Sequence, residues 1–258
     1  MAAKQRRGQA PALVVELERA LEQAGDPKSA VSDKAYLKSA LVHFGVPVPV
    51  SRPLIRAIEK ASPIASSAEL FAIVDALWAR EIWELRSAAV ELLVRRGDLL
   101  SPRQLPALRQ LVGNSHTWAL VDPLSTDVVG AILAASPEIA DVLDTWAEDA
   151  DFWVRRAAML AHLRGLRAGG GDFARFARYA DAMLDEREFF IRKAIGWILR
   201  ETSKQRPALV ADWLAPRMHR ASGVTTREAL KYLSAAQQKR LRARATSARR
   251  GSARSASG

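Results

Sequence analysis

Apolar residues recur at spacings of three and four along most of the chain, a pattern that predicts helices. Clusters of Pro, Gly and Ser separate the apolar stretches, as in "ASPIASS", "RRGDLLSPRQ" and "RAGGGD". Alternating apolar and polar residues, which indicate strands, are nearly absent. The pattern therefore predicts an all-α fold.

Four of the predicted helices begin near an aromatic residue at a regular interval. Trp83, Trp118, Trp153 and Phe190 follow one another after 35, 35 and 37 residues. Each interval has room for a pair of helices, and a fixed period in this range is typical of α-solenoids. We therefore predict a solenoid of HEAT-like helical repeats.

Composition excludes several classes of protein. With 258 residues, of which 49% are hydrophobic, the chain can bury a sizeable core. It has no cysteine, which excludes disulfides, thiol nucleophiles and thiolate metal sites. The first apolar stretch is short and contains Glu16, Glu18 and Glu22, so it predicts neither a signal peptide nor a membrane span. We expect a cytoplasmic protein, associated with the nucleoid when it is bound to DNA.

The net charge of +11 lies at the two ends of the chain. Residues 1–11 carry +3 and residues 229–258 carry +8, whereas residues 12–228 are formally neutral. We predict a flexible segment over 1–11, one folded domain over 12–235 and a disordered basic tail over 236–258. The tail either adds a salt-sensitive attraction to phosphates or simply keeps the protein soluble.

Charge is also uneven inside the neutral body. Residues 138–151 hold six acids and no base, whereas residues 152–206 hold twelve Lys or Arg and six acids. If the helices that begin at Trp153 and Phe190 line a concave face, the repeats form a basic groove suited to DNA or RNA. The alternative is an Arg-rich helix face that is only solvated.

The stretch "HTWALVD" places Trp118 and Asp122 four residues apart, on one side of a continuous helix. Pro123 disfavours helical geometry at Asp122, so the helix is expected either to kink or to begin with Asp122 as its cap. A core tryptophan beside a capping aspartate is one reading of this pair. Half of an active site is the other.

Four separate motifs resemble the DNA alkylation repair family of HEAT-like-repeat DNA glycosylases, and together they span roughly residues 12–215. The motifs are "YLKSALVHFGVPVPVSRPLIRAI" (residues 36–58), the central "TWALVD", "FWVRRAAML" and "REFFIRKAIGWILRETSKQRP". The basic tail lies outside the resemblance. Ala119 departs from it, because many relatives have a polar or acidic residue there, and so does Pro123.

The resemblance implies a C-shaped solenoid that cradles duplex DNA and hydrolyses the N-glycosidic bond of cationic N3- or N7-alkylpurines without flipping the base. It implies Trp118, Asp122, Arg156 and Trp197 as the active-site residues. Asp122 would stabilise the oxocarbenium-like sugar, the two indoles would contact the cationic nucleotide, and Arg156 would contact a phosphate. By their positions on the predicted helices, further candidates for phosphate contacts are Arg155, Arg192 and Lys193.

We predict no cofactor and no metal, because the four histidines lack the spacing of metal ligands. The predicted partner is double-stranded DNA that contains alkylated bases, bound by a monomer without a membrane. Two other functions stay open: a non-catalytic protein that binds distorted or branched DNA, and a HEAT-like scaffold that binds an acidic protein. Of these hypotheses, only the protein-binding scaffold predicts no affinity for DNA.

Overall fold

In a computed structural model, which describes residues 9–244, the chain is all-α. No strand forms in that range, and an isolated β-bridge pairs Val42 with Ile82. The chain divides into two compact units, residues 1–128 and 129–258. The predicted fold class is therefore confirmed as all-α.

The first unit contains seven named α-helices in its described part. They are α1 (Gln9–Gln23), α2 (Pro27–Leu37), α3 (Val48–Ala61), α4 (Ser67–Trp78), α5 (Trp83–Arg95), α6 (Leu105–Gly113) and α7 (Trp118–Pro123). A π-helical turn, Leu124–Val129, follows α7 directly, and the division between the units falls inside it. Fully buried leucines such as Leu77 and Leu85 form the core of this unit where α4 packs on α5.

The second unit contains eight named α-helices in the part that the structure describes. They are α8 (Gly130–Ala135), α9 (Ala140–Ala147), α10 (Phe152–Ala161), α11 (Leu163–Arg167), α12 (Phe173–Ala182), α13 (Phe189–Ser203), α14 (Pro207–Leu214) and α15 (Gly223–Ala229). The long helix α13 supplies much of the core, since Ile191, Ile195 and Leu199 are fully buried.

Polar side chains determine where three of the aromatic helices begin. Thr117 accepts a hydrogen bond from the backbone N–H of Ala119 at the start of α7. Asp151 does the same at the start of α10 and Glu188 at the start of α13, at 2.8 and 3.1 Å. Such caps satisfy N–H groups that the first turn leaves without a partner. The predicted helix starts at residues 83, 118, 153 and 190 are thus correct to within one residue.

Ion pairs in the second unit repeat at nearly the same interval as the aromatic residues. Examples are Arg175 with Asp141, Arg217 with Asp181, and Arg220 with Asp185, which are 34, 36 and 35 residues apart. Each pair joins two parts of the second unit that lie about one period apart in the sequence. Residues about 35 positions apart in the sequence, the spacing of the aromatic residues, are therefore also in contact in the folded protein.

The structure describes helical residues at both predicted ends. Residues 9–11 belong to α1, and residues 235–244 are helical, where the sequence predicted a flexible and a disordered segment. The predicted domain bounds stay predictions. The basic composition hid a single apolar anchor, Leu241, which is fully buried. The rest of the predicted end segments, residues 1–8 and 245–258, lies outside the described residues.

The stretch Trp118–Ala135 is long and apolar enough, by length and composition, to cross a membrane. Core helices of soluble proteins pass the same test. Here Leu120, Val121 and Leu124 are at most 1% exposed, which is the burial expected of a core helix.

Candidate functional site

Trp118 is the first residue of α7, and its side chain is half-buried. Two features hold this helix start. Thr117 caps it, and His116 has a φ of 51°, a left-handed conformation that is uncommon for a residue other than glycine. The chain therefore turns sharply immediately before the indole, which leaves part of the ring accessible to solvent.

Asp122 lies one turn after Trp118, inside α7, and is also half-buried. The sequence predicts that Pro123 either kinks the helix or makes Asp122 its N-terminal cap. Asp122 does not begin the helix, so the cap is excluded. Pro123 has no N–H to donate, and the π-helical turn starts at the next residue. Single π-helical turns inside α-helices are frequent at functional sites. The helix that carries Asp122 is thus irregular directly after it.

Tyr36 of α2 contacts the indole of Trp118 edge to face, with the ring centroids 6.2 Å apart. Sequence reasoning did not single out this residue. Every residue of α2 is at least partly exposed, and Tyr36 is 73% exposed. In the sequence, a tyrosine between Lys34 and Lys38 was the only sign of an accessible aromatic residue here. Nothing local indicates that it meets a tryptophan 82 residues away.

In the second unit Arg156 is almost fully buried, with 2% of its surface exposed. Its guanidinium donates a hydrogen bond to the backbone carbonyl of Phe190 and lies over the ring of that residue, 6.0 Å from the centroid. The same ring packs on Trp153, which is buried. Arg156 is thus built into the packing of α10 against α13, and its contact with phosphate stays a prediction.

The neighbouring Arg155 makes an ion pair with Glu186, at 2.7 and 3.2 Å from its two carboxylate oxygens. It also donates to the backbone carbonyls of Asp149 and Ala150. These bonds occupy its three guanidinium nitrogens. Arg155 would have to give up several of these bonds to contact a phosphate.

Trp197, Arg192 and Lys193 lie on α13. Trp197 is half-buried, one turn after Lys193, and Lys193 forms an ion pair with Glu228 of α15. Arg192 donates through Nε to the backbone carbonyl of Glu186, at 2.6 Å. The predicted phosphate contacts on this helix therefore differ in their partners, an acid for Lys193 and a neutral carbonyl for Arg192.

The second unit also has a cavity of about 460 Å³ that none of the predicted residues lines. Its lining includes His162, Asp141, Asp172 and Arg175. Burial lowers the pKa of His162 to about 4, against the opposing effect of Asp172, so this side chain is neutral at physiological pH. Among residues 9–244, no cluster of three or more His, Cys, Asp or Glu could hold a metal ion.

Comparison with known proteins gives the family of this chain. A sequence profile described as "DNA alkylation repair enzyme" matches residues 17–233, which is most of the chain and includes every predicted site residue. The chain belongs to the DNA alkylation repair enzyme family. The resemblance seen in the sequence is thereby confirmed, and the family implies a DNA substrate.

Two solved structures of this family's fold are similar to the chain. One is a predicted DNA alkylation repair enzyme from Enterococcus faecalis, with a TM-score of 0.75 and 25% sequence identity, over 82% of this chain and 97% of the other. The second is AlkD2 from Streptococcus mutans, with a TM-score of 0.55 and 17% identity, over 71% and 89%. At that identity the second shows the fold alone. No curated protein matches the sequence.

Proposed function

We propose that this protein is a monofunctional DNA glycosylase that releases cationic N3- or N7-alkylated purines from duplex DNA and leaves an abasic site. The observation that carries the proposal is the pair of Trp118 and Asp122, one turn apart and half-buried on a capped helix, in a chain of a DNA alkylation repair family. A partly exposed aromatic ring one helical turn from a carboxylate suits a substrate with a positive charge.

The chemistry requires few groups from the protein. When the N-glycosidic bond breaks, its electron pair leaves with the purine and neutralises the positive charge of the base, so no acid has to protonate the leaving group. The sugar is left as an oxocarbenium-like cation. Water then attacks C1′, forms the new C–O bond and passes its proton to solvent water.

Asp122 is the group suited to this step. Its carboxylate would stabilise the cationic sugar and orient the attacking water, as carboxylates do in glycoside hydrolysis. The indole of Trp118 would contact the cationic nucleotide, with a contribution of about 0.5–2 kcal/mol. Tyr36, whose ring is nearly perpendicular to that indole, would hold its orientation.

For the second unit, the resemblance assigns Trp197 another aromatic contact with the lesion and Arg156 a contact with a phosphate. Burial of Arg156 favours a role in positioning α13 through the carbonyl of Phe190. The C-shaped solenoid, the basic groove and action without base flipping stay predictions from the resemblance.

The test is the release of free 7-methylguanine and 3-methyladenine from methylated duplex DNA under single-turnover conditions. Wild-type protein should release them, and Asp122→Asn should slow release by about 100- to 1,000-fold while DNA binding changes little. Asp127→Asn is a matched control, because Asp127 is an exposed acid on the adjoining π-helical turn.

Two outcomes would contradict the proposal. Release by Asp122→Asn at the wild-type rate would remove Asp122 from the reaction. Binding of DNA by the wild type without any release would indicate instead a protein that recognises distorted DNA without cutting a bond.

A further inference from the structure

The short helix α15 is seated firmly against α13. The Oγ1 of Thr225, a fully buried residue, donates a hydrogen bond to the backbone carbonyl of Arg192, at 3.0 Å. Gly196 permits the close approach, since a Cβ atom at this position would lie 2.8 Å from the Cβ of Glu228. Glu228 is therefore held at a fixed place beside the middle of α13.

The carboxylate of Glu228 contacts two cations of α13. Lys193 donates to one oxygen through Nζ, and Arg200 donates to the other through Nη1. The two cations lie four residues before and three residues after Trp197, so they flank it on one face of the helix. One acid thus holds both charges beside the predicted aromatic contact.

The two ion pairs differ in how readily they can open. The side chain of Lys193 is 42% exposed, whereas that of Arg200 is 23% exposed and Arg200 also contacts a second acid, Glu201. Burial raises the pKa of Glu228, but the hydrogen bond from Lys193 and the charge of Arg200 outweigh this effect and lower it overall. Glu228 is consequently ionised at neutral pH, and Lys193 is the partner that can be released more easily.

We infer that Glu228 is an internal competitor for DNA phosphate, which holds Lys193 and Arg200 beside Trp197 until a backbone phosphate takes its place. A phosphodiester presents two anionic oxygens to two donors, as this carboxylate does. The inference rests on the proposed function, because it requires that DNA approach this face of α13. It assigns Glu228 a positioning role and predicts that this acid weakens the binding of undamaged DNA.

The experiment compares the binding of an unmodified duplex by wild type and Glu228→Gln, from fluorescence anisotropy over a range of KCl concentrations. Loss of the competing acid should tighten binding by about 3- to 10-fold at low salt. The slope of log affinity against log salt should stay close to the wild-type value, because both proteins make the same phosphate contacts once DNA is bound. A carboxylate with a purely structural role would weaken binding when removed.

Asp181→Asn is the matched control. Asp181 also accepts hydrogen bonds from two cationic side chains, Arg217 and Arg220. Asp181→Asn and Glu228→Gln therefore change the net charge equally, and each removes the acidic partner of two cationic side chains. The affinity and slope of Asp181→Asn should stay at the wild-type values. The inference is overturned if Glu228→Gln binds no more tightly than wild type, or if Asp181→Asn tightens binding equally.

A second variant keeps the test decisive if Glu228→Gln fails to fold. Lys193→Gln in the wild-type background should make the slope shallower by about one, because a phosphate contact is lost. An unchanged slope would overturn the inference. Wild type that binds no DNA at all would refute the proposed function itself, whereas wild type that binds while these variants change nothing refutes only the role of Glu228.

Discussion

Trp118 and Trp153 stand 35 residues apart, each at the start of a helix, yet the two helix starts differ. Trp153 is 6% exposed, and its ring packs between those of Phe152 and Phe190. Trp118 is half-buried, and among the ring contacts that the structure describes its ring meets only that of the exposed Tyr36. The tryptophan at the helix start thus serves packing in the second unit and leaves an aromatic surface in the first.

The residue one turn later shows the same contrast. Ala157 follows Trp153 and is fully buried, and Ala194 follows Phe190 in the same way. The corresponding residue after Trp118 is Asp122, a half-buried carboxylate. The residue one turn after the aromatic ring is a buried alanine in α10 and α13 but a half-buried aspartate in α7. This contrast is the strongest internal argument for a functional role of Trp118 and Asp122.

The largest expected effect is on stability. Trp153→Ala should lower the free energy of unfolding by about 3–5 kcal/mol, because it removes a large buried side chain. Trp118→Ala should cost about 1 kcal/mol or less, since the indole is only half-buried, but should slow base release by about tenfold. Chemical denaturation measures the first quantity and single-turnover release the second. Equal losses of stability in the two variants would contradict the distinction between the two helix starts.

Helix α10 is buried as far as its C-terminal cap, which is His162. Burial is the main cause that lowers its pKa from 6.5 to about 4. The unfolded chain therefore binds a proton below about pH 6.5, whereas the folded protein does not until about pH 4. The free energy of unfolding should fall by about 3 kcal/mol as the pH drops through this range.

Denaturation at pH 7 and pH 4.5 tests this effect. His162→Leu should lose much of the dependence on pH, whereas His219→Gln, a change at an exposed histidine, should keep it. If His162→Leu shows the wild-type dependence, other groups cause the loss of stability in acid.

Arg155 and Arg192 of the second unit provide a test, with a smaller expected effect, of the same contrast between a packing role and a functional role. Arg155→Ala should cost about 1–3 kcal/mol in stability, because it removes the ion pair with Glu186 and two hydrogen bonds to backbone carbonyls. Its effect on the salt dependence of DNA binding should be small. Arg192→Ala should instead reduce the slope of log affinity against log salt by about one, if this residue contacts a phosphate. If Arg155→Ala reduced the slope and Arg192→Ala did not, Arg155 and not Arg192 would be the residue that contacts a phosphate.

The sequence predicted the helices well, because local properties determine them. Apolar residues at helical spacing and polar caps such as Asp151 lie within a few residues of the aromatic positions that they define. The partners of the cations could not be predicted in this way. Glu186 and Glu228 lie 31 and 35 residues from Arg155 and Lys193, and the choice of acid depends on how α10, α13 and α15 pack. The burial of Arg156 was missed for the same reason.

The smallest expected effect concerns the contact between Tyr36 and Trp118. A double-mutant cycle with Tyr36→Ala, Trp118→Ala and the double variant should give a coupling energy of about 0.5–1.5 kcal/mol in single-turnover base release, the range for aromatic pairs. The coupling should be weaker in unfolding free energy, because Tyr36 is mostly exposed and its helix has no buried residue. Tyr36→Phe should behave like wild type, since it keeps the aromatic ring that meets the indole. Additive effects on release would mean that Tyr36 leaves the indole of Trp118 free to orient itself, and the aromatic surface would then consist of Trp118 alone.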